Sequence, residues 1–161
     1  MENRLIPVLL IDVGRCVKSF QFKNYTYLGD PINIIRIFNE LEVDELIIKS
    51  ISGLLDKEFL EALSSEAFMP LSYGGGIETF DQAANIFSLG FEKLIFRSTL
   101  FSNPALLSKI SKEFGAQALA FSCDVAGAQL KLNPAQFTRK VNVTELKSYL
   151  SNLQIGELML T

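Results

Sequence analysis

Short apolar runs recur along this chain, and between them apolar residues repeat at helical spacing. Each run is about as long as a buried strand, and several are apolar at consecutive positions, as expected for strands covered on both faces. The runs predict six strands, at Leu5–Ile11, Leu46–Ile51, Met69–Tyr73, Lys93–Phe96, Gln117–Cys123 and Glu157–Leu160.

Helical periodicity fills the gaps between these strands. In the first gap, Asp30 can cap the amino terminus of a helix, and Pro31 suits the first helical position. Gly90 and Gly115 can end two later helices, because glycine is favoured just past a helix terminus. The predicted helices are 30–41, 55–63, 79–89, 103–114 and a last one from Asn142 or Thr144 to Leu153.

Strands that alternate with short helices predict βαβ units and an α/β fold with a parallel sheet. No linker divides the 161 residues, so we expect a single domain over 1–161. Two closures agree with the pattern. A doubly wound open sheet is complete at about five or six strands, whereas a barrel has eight strands and usually about 250 residues. Pattern and length alone slightly favour the open sheet.

Composition narrows the classes of function. Lys plus Arg is 15 and Asp plus Glu is 18, and a net charge of −3 argues against nucleic-acid binding, which needs a basic face. The chain has no histidine, so acid–base chemistry falls to carboxylates or lysine. Cys16 and Cys123 lie in apolar contexts and are expected to be small buried hydrophobes. Neither a signal peptide nor a membrane span is visible, which predicts a cytoplasmic protein.

The glycine run after the third predicted strand is the strongest local signal. Gly74, Gly75 and Gly76 precede a helix start near Thr79. Consecutive glycines let the backbone approach an anion, and the free N–H groups of a helix start bind it. No Gly-Lys-Ser/Thr follows, which excludes a P-loop, and the spacing excludes a dinucleotide fingerprint. The run predicts phosphate binding, with a tight strand-to-helix turn as the alternative.

Two aspartates end predicted strands. Asp124 ends the fifth strand and Asp12 follows the first. The carboxyl ends of barrel strands carry catalytic groups, and two carboxylates on one face can form an acid–base pair. For each aspartate, a helix cap or turn residue is the alternative.

Charged residues mark the starts of four predicted strands. Strand starts converge at one end of a barrel, so two cations and two anions there could form a ring of salt bridges. Ordinary solvated charge is the alternative. The four residues are Arg4, Glu45, Lys93 and Glu157.

Five motifs span the chain in order: Arg4-Leu5-Ile6-Pro7, Gly29-Asp30-Pro31, Val43-Asp44-Glu45-Leu46, Pro70-Leu71-Ser72-Tyr73-Gly74-Gly75-Gly76-Ile77 and Gly156-Glu157-Leu158-Met159-Leu160-Thr161. Together they resemble the cyclase subunit of imidazole glycerol phosphate synthase. The resemblance implies a (β/α)₈ TIM barrel, of which this chain covers about five and a half units and lacks about a third.

The resemblance implies a lyase-type synthase of histidine biosynthesis that works as a heterodimer with a glutaminase and needs no cofactor or metal. In that family the glutaminase releases ammonia beneath the barrel, and the ammonia passes through it to a phosphorylated ribonucleotide. Asp124 matches one of the two catalytic aspartates. The channel entrance corresponds to Arg4, Glu45, Lys93 and Glu157. The phosphate contacts correspond to Gly74, Gly75, Gly76 and Ser98, and Lys18 and Thr161 also match.

The chain departs from the family at several positions. Leu10 stands where the family has its first catalytic aspartate. Asp12 lies on the same side of a regular strand but about 6–7 Å further along. Ser50 replaces an aspartate, and Arg97 replaces an asparagine. The opening Pro-Val-Leu-Leu resembles a divergent branch of surface-polysaccharide pathways, in which the ammonia goes to a sugar amidotransferase.

Three hypotheses of function follow. The chain is an ammonia-fed cyclase-like synthase subunit, a non-catalytic barrel that conducts ammonia to another enzyme, or a truncated inactive remnant. Leu10 separates the first from the second, because a leucine cannot transfer a proton. We expect the isolated chain to be marginally stable, because an open barrel leaves strand edges unpaired.

Overall fold

The computed structural model describes residues 3–20, 23–126, 129–131, 144, 148, 151–152 and 155–160. The chain divides into two compact units. The first contains Met1–Ile77 and Asp81–Glu92, and the second contains Glu78–Phe80 and Lys93–Thr161. Both units combine parallel strands with helices.

The first unit begins with an antiparallel meander. Its strands are β1 (Val8–Asp12), β2 (Arg15–Phe20) and β3 (Lys23–Gly29). Val13 and Gly14 connect β1 to β2, and both have positive φ, 44° and 74°. A two-residue type I′ hairpin turn requires positive φ at both positions. The sequence did not predict β2 or β3, because Val-Gly lacks the Asn-Gly or Asp-Gly signal of such turns.

Parallel pairing continues from β1 through the first unit. β4 (Leu46–Ser50) pairs with β1, and β5 (Leu71–Gly74) pairs with β4. The helices that follow the strands are α1 (Pro31–Glu40), α2 (Lys57–Glu66) and α3 (Phe80–Ser88).

Capping residues explain where two of these helices start. The Asp30 carboxylate accepts a hydrogen bond from the Asn33 backbone N–H, and Pro31 occupies the first helical position, as predicted. Asp56 accepts in the same way from the Phe59 N–H, which places the start of α2 two residues later than predicted. Such caps satisfy backbone donors that have no partner inside the helix.

The second unit repeats the alternation. It contains β6 (Lys93–Phe96), α4 (Thr99–Ser102) and α5 (Pro104–Phe114). The α5 helix starts within one residue of the prediction, and Asn103 caps it. A 3₁₀ turn at Ala116–Ala118 leads into β7, and β7 pairs in parallel with both β6 and β9. The remaining strands are β7 (Leu119–Ala126), β8 (Gln129–Lys131) and β9 (Glu157–Leu160), and β8 is antiparallel to β7.

These elements confirm the predicted α/β class, with the strand and helix order of an incomplete (β/α)₈ barrel. The first strand starts at Val8 rather than Leu5, which is 61% exposed. Thr144, Ser148, Ser151 and Asn152 are helical, and the rest of the last predicted helix lies outside the described residues. Within the described part of the chain, no helix is long and apolar enough to cross a membrane.

Candidate functional site

Leu10 and Asp12 lie on one face of β1. Leu9 and Ile11 alternate with them and are 6% and 0% exposed, whereas Leu10 and Asp12 are half-buried. The Asp12 Cα is paired with that of Arg15 across the hairpin. The position that the resemblance gives to a catalytic aspartate therefore holds a leucine, and the nearest carboxylate on that face lies beside the turn.

Asp124 lies in the second unit, directly after the last parallel pair of β7, Cys123 with Leu160. The Arg97 Nη2 atom donates a charge-assisted hydrogen bond to Asp124 Oδ2. The side chains of Arg97 and Asp124 are 23% and 22% exposed, so the ion pair is partly open to solvent. Because Arg97 directly follows β6, both residues mark carboxyl ends of neighbouring parallel strands, where β/α proteins carry their reactive groups.

Two buried polar atoms accompany this ion pair. Arg97 Nε and Ser122 Oγ are buried, and neither has a hydrogen-bond partner among the described residues. A buried unsatisfied polar group costs about 1–3 kcal/mol, whereas a partly exposed ion pair contributes about 0–1 kcal/mol. Unsatisfied buried polar groups of this kind are typical of functional sites.

The glycine run forms a tight turn after β5. Gly75 and Gly76 have φ of 129° and 69°, a region that favours glycine. A Cβ on Gly75 would overlap the Ser50 carbonyl oxygen, and one on Gly76 would overlap the Leu54 backbone nitrogen. Packing against the loop after β4 thus already requires glycine at both positions. Gly74 is buried at the end of β5.

Tyr73 holds the loop against which the glycine turn packs. It is fully buried, and its hydroxyl accepts a hydrogen bond of 3.1 Å from the Leu55 N–H. Its ring packs edge-on against Phe91. Burial raises the pKa of Tyr73, and the Leu55 hydrogen bond opposes that shift. The hydroxyl therefore stays protonated and holds the loop after β4 against the sheet.

Glu45 lies directly before β4 and is only 6% exposed. Arg4 Nη2 donates to Glu45 Oε2 at 3.3 Å, and the Ser72 hydroxyl donates to Oε1. Both carboxylate oxygens therefore have a donor, as a buried charge requires. The sequence pointed to Arg4 and Glu45, but it gave no signal for Ser72, which lies on another strand.

Lys93 and Glu157 form the corresponding pair of the second unit. They are the first residues of β6 and β9, and both strands pair with β7. The Lys93 Nζ atom lies 2.8 Å from Glu157 Oε2, so the pair reaches across the start of β7. Lys93 is 12% exposed and Glu157 is 47% exposed, so this pair faces solvent more than the Glu45 carboxylate does.

The other predicted site residues are placed as follows. Ser98 is exposed and precedes α4, but its side chain makes no capping hydrogen bond. Lys18 is an exposed residue of β2, in register with Thr26 of β3. Thr161 lies outside the described residues.

Lys49 is a residue that the sequence analysis missed. It is half-buried within β4, and its Cα is paired with Leu10 on one side and Gly74 on the other. A lysine inside a buried strand is unusual, because lysine side chains mostly lie at the protein surface. The single cation in the apolar run 46–51 was the signal that could have found it.

The cysteines are free and buried, as predicted. Burial and, secondarily, the Asp30 carboxylate raise the pKa of the Cys16 thiol to about 11. Burial also raises the pKa of Cys123, to which Asp124 adds and which Arg97 opposes. Among the residues that the structure describes, no group of three or more Cys, Asp or Glu could hold a metal ion.

Comparison with known proteins identifies the family of this chain. The family model described as "Histidine biosynthesis protein" matches residues 4–161. A Leptospira interrogans protein named "Putative imidazole glycerol phosphate synthase subunit HisF" is 42% identical over 129 residues, covering 77% of this chain and 51% of that protein. A similarly named Vibrio vulnificus protein is 36% identical over 99% of this chain and 66% of its own length.

The Staphylococcus aureus (strain Newman) "Imidazole glycerol phosphate synthase subunit HisF" is 31% identical over all of this chain and 68% of its own length. Across these relatives, the chain therefore spans between 51% and 68% of the relative's length.

Proposed function

Because the chain belongs to the histidine biosynthesis protein family, within its imidazole glycerol phosphate synthase cyclase branch, we propose that it is the synthase subunit of a glutamine amidotransferase complex. A glutaminase partner supplies ammonia. The acceptor is a phosphorylated ribonucleotide, with ring closure by a lyase-type reaction as in imidazole glycerol phosphate synthase. Given Leu10, a sugar of surface-polysaccharide synthesis is the other acceptor.

Two ion pairs at the amino ends of strands are the main support for this proposal. Arg4 with Glu45, and Lys93 with Glu157, put opposite charges at strand starts in each unit. The buried Glu45 carboxylate is held by Ser72 as well, so its position is fixed. Opposite charges at strand starts suit a channel mouth that admits a small neutral molecule and binds a partner's polar surface.

Asp124 is the residue that we assign to the chemistry. An ionised carboxylate held by Arg97 can accept a proton or a hydrogen bond from the substrate. Asp12, beside the β1–β2 turn, is the second candidate carboxylate. Gly74, Gly75, Gly76 and Ser98 are the proposed phosphate contacts, since backbone N–H groups of the turn and the uncommitted Ser98 hydroxyl can donate to phosphate oxygens.

The channel part of the proposal is tested by comparing two ammonia sources. Turnover is measured with ammonium salt alone and with glutamine plus the glutaminase subunit. We expect Lys93→Met to lower glutamine-driven turnover while ammonium-driven turnover remains, because ammonia transfer fails but the acceptor site is intact. Lys112→Met, at an exposed residue in the last turn of α5, is the matched control. An unchanged ratio of the two rates in Lys93→Met contradicts a channel mouth at this pair.

Leu10 favours a second candidate function. A leucine on the face shared with Asp12 removes one partner of an acid–base pair, so the chain can conduct ammonia without closing a ring itself. In that case the folded protein gives no product from ammonium and the ribonucleotide. It instead raises the glutamine-driven rate of another enzyme that consumes ammonia.

A further inference from the structure

The Arg97–Asp124 pair combines a donor and an acceptor at one place. Guanidinium groups only donate hydrogen bonds and ionised carboxylates only accept them. Both side chains are partly exposed, at 23% and 22%, so a ligand can reach them. Their opposite charges offset each other, so the pair favours neither a cation nor an anion. An uncharged group that both donates and accepts fits it best.

The buried polar atoms next to this ion pair support the same conclusion. Ser122 is 1% exposed, and its hydroxyl has no partner among the described residues. β6 and β7 pair up to Phe96 with Phe121, so Arg97 and Ser122 are the next residues of that register. Asp124 is two residues beyond Ser122 and shares its face. The cluster therefore places polar groups on one face of the two strands. Two of its polar atoms, Arg97 Nε and Ser122 Oγ, have no hydrogen-bond partner among the described residues.

From this geometry we infer that Arg97 and Asp124 form a binding site for two neighbouring hydroxyl groups of a sugar. Arg97 donates a hydrogen bond to the oxygen of one hydroxyl, and Asp124 accepts a hydrogen bond from the other hydroxyl. Arg97 is then a specificity-determining residue that selects a hydroxylated, uncharged part of the substrate. The inference rests on the proposed function only in assigning Asp124 to the acceptor site.

Two kinds of sugar present this chemistry, a ribosyl unit and a hexosyl unit. We would titrate the full-length chain with methyl ribofuranoside and, separately, with methyl glucopyranoside, and follow the NMR signals of Asp124 and of the Arg97 Nε–H. A deoxy ribofuranoside that lacks one hydroxyl of the pair is the matched ligand control. No glutaminase, ammonia or turnover is needed, so a failure here is distinguishable from a failure of the proposed function.

We expect saturable shifts with at least one glycoside. The deoxy analogue should bind at least about tenfold more weakly than its parent, because a hydrogen-bonding site rejects a ligand that lacks the hydroxyl. The glycoside that binds more tightly identifies the ribosyl or hexosyl source. Arg97→Gln and the isosteric Asp124→Asn should each remove saturable binding. Arg36→Gln, which breaks the exposed Arg36–Glu66 pair, should leave it unchanged.

Three outcomes overturn the inference. The first is the absence of saturable binding of either glycoside to the unmodified chain. The second is equal binding of the deoxy analogue, and the third is unchanged binding by folded Arg97→Gln. Should Arg97→Gln fail to fold, Arg97→Lys keeps the charge but loses the planar fork, and it should bind the glycosides more weakly.

Discussion

Gly76 and Leu54 lie so close together that the Leu54 backbone nitrogen fills the space where a Gly76 side chain would begin. Gly76 also has a φ of 69°, which side-chain-bearing residues rarely adopt. The glycine run therefore has a structural reason that is independent of any ligand. Phosphate binding by the run needs a test that separates folding from binding.

Replacing Gly76 by alanine should destabilise the chain by about 3 kcal/mol or more, through both overlap and backbone strain. Gly90→Ala is the matched control, because Gly90 has a positive φ of 94° but open space around it. We expect about 1–2 kcal/mol there from strain alone. Urea unfolding of both variants measures the difference, and equal losses would contradict the close approach of Gly76 to Leu54.

Val13 offers a stabilising substitution. It is a β-branched residue at a φ of 44° in the β1–β2 turn and is 78% exposed. Asparagine accepts this conformation far better and is the preferred residue before glycine in a type I′ turn. Val13→Asn should raise the free energy of unfolding by about 1 kcal/mol, measured by urea or thermal unfolding. A loss of stability would show that the turn differs from the one described.

The two ion pairs at strand starts should differ in their contribution to stability. Glu45→Ala removes a buried carboxylate and leaves the Ser72 hydroxyl without that acceptor, so we expect a loss of about 2–3 kcal/mol. Glu157→Ala removes a half-exposed partner of Lys93, so we expect a loss below about 1 kcal/mol. Denaturant unfolding compares them, and a larger loss for Glu157→Ala would contradict the burial of Glu45.

The raised pKa of Cys16 predicts slow thiol labelling. Thiolate is the reactive form, so a pKa of about 11 instead of 9.0 keeps the labelling rate of the folded chain low at neutral pH. That rate should still increase as the pH is raised from 9.0 to about 11. The labelling rate of Cys123→Ser against pH measures this, with the urea-unfolded chain as control. A native rate that levels off near pH 9.0, as for an ordinary thiol, would contradict the burial of Cys16.

The same shift has a consequence for stability. The folded chain holds the Cys16 proton more tightly than the unfolded chain does. The stabilising contribution is therefore complete below the ordinary pKa of 9.0 and is lost as the pH rises towards about 11. Unfolding free energies of the chain and of Cys16→Ala should converge over that interval.

Features with local causes could be predicted from the sequence. The caps at Asp30 and Asn103 act within three residues, and the strand bounds of β6 and β9 follow from short apolar runs between clear breaks. The β1–β2 hairpin escaped prediction because its turn is built on Val13, which is strained there.

Features that depend on pairing between distant segments could not be predicted. Arg97 looked like a departure from a family motif, and only the parallel register of β6 with β7 brings it to Asp124. The hydrogen bond from Ser72 to Glu45 could not be predicted either, because it depends on the pairing of β4 with β5. Charge type and strand position were readable in the sequence, but the partner of each charge was not.

We propose that this chain uses ammonia at a site containing Asp124. The most direct measurement is ammonium-dependent turnover of the imidazole-pathway ribonucleotide by the unmodified chain and by Asp124→Asn, with both shown to be folded. We expect turnover by the unmodified chain and its loss in Asp124→Asn, because an amide cannot accept the proton. Equal turnover by both would contradict the role of Asp124, and no turnover by the folded unmodified chain would contradict a synthase acting on this ribonucleotide.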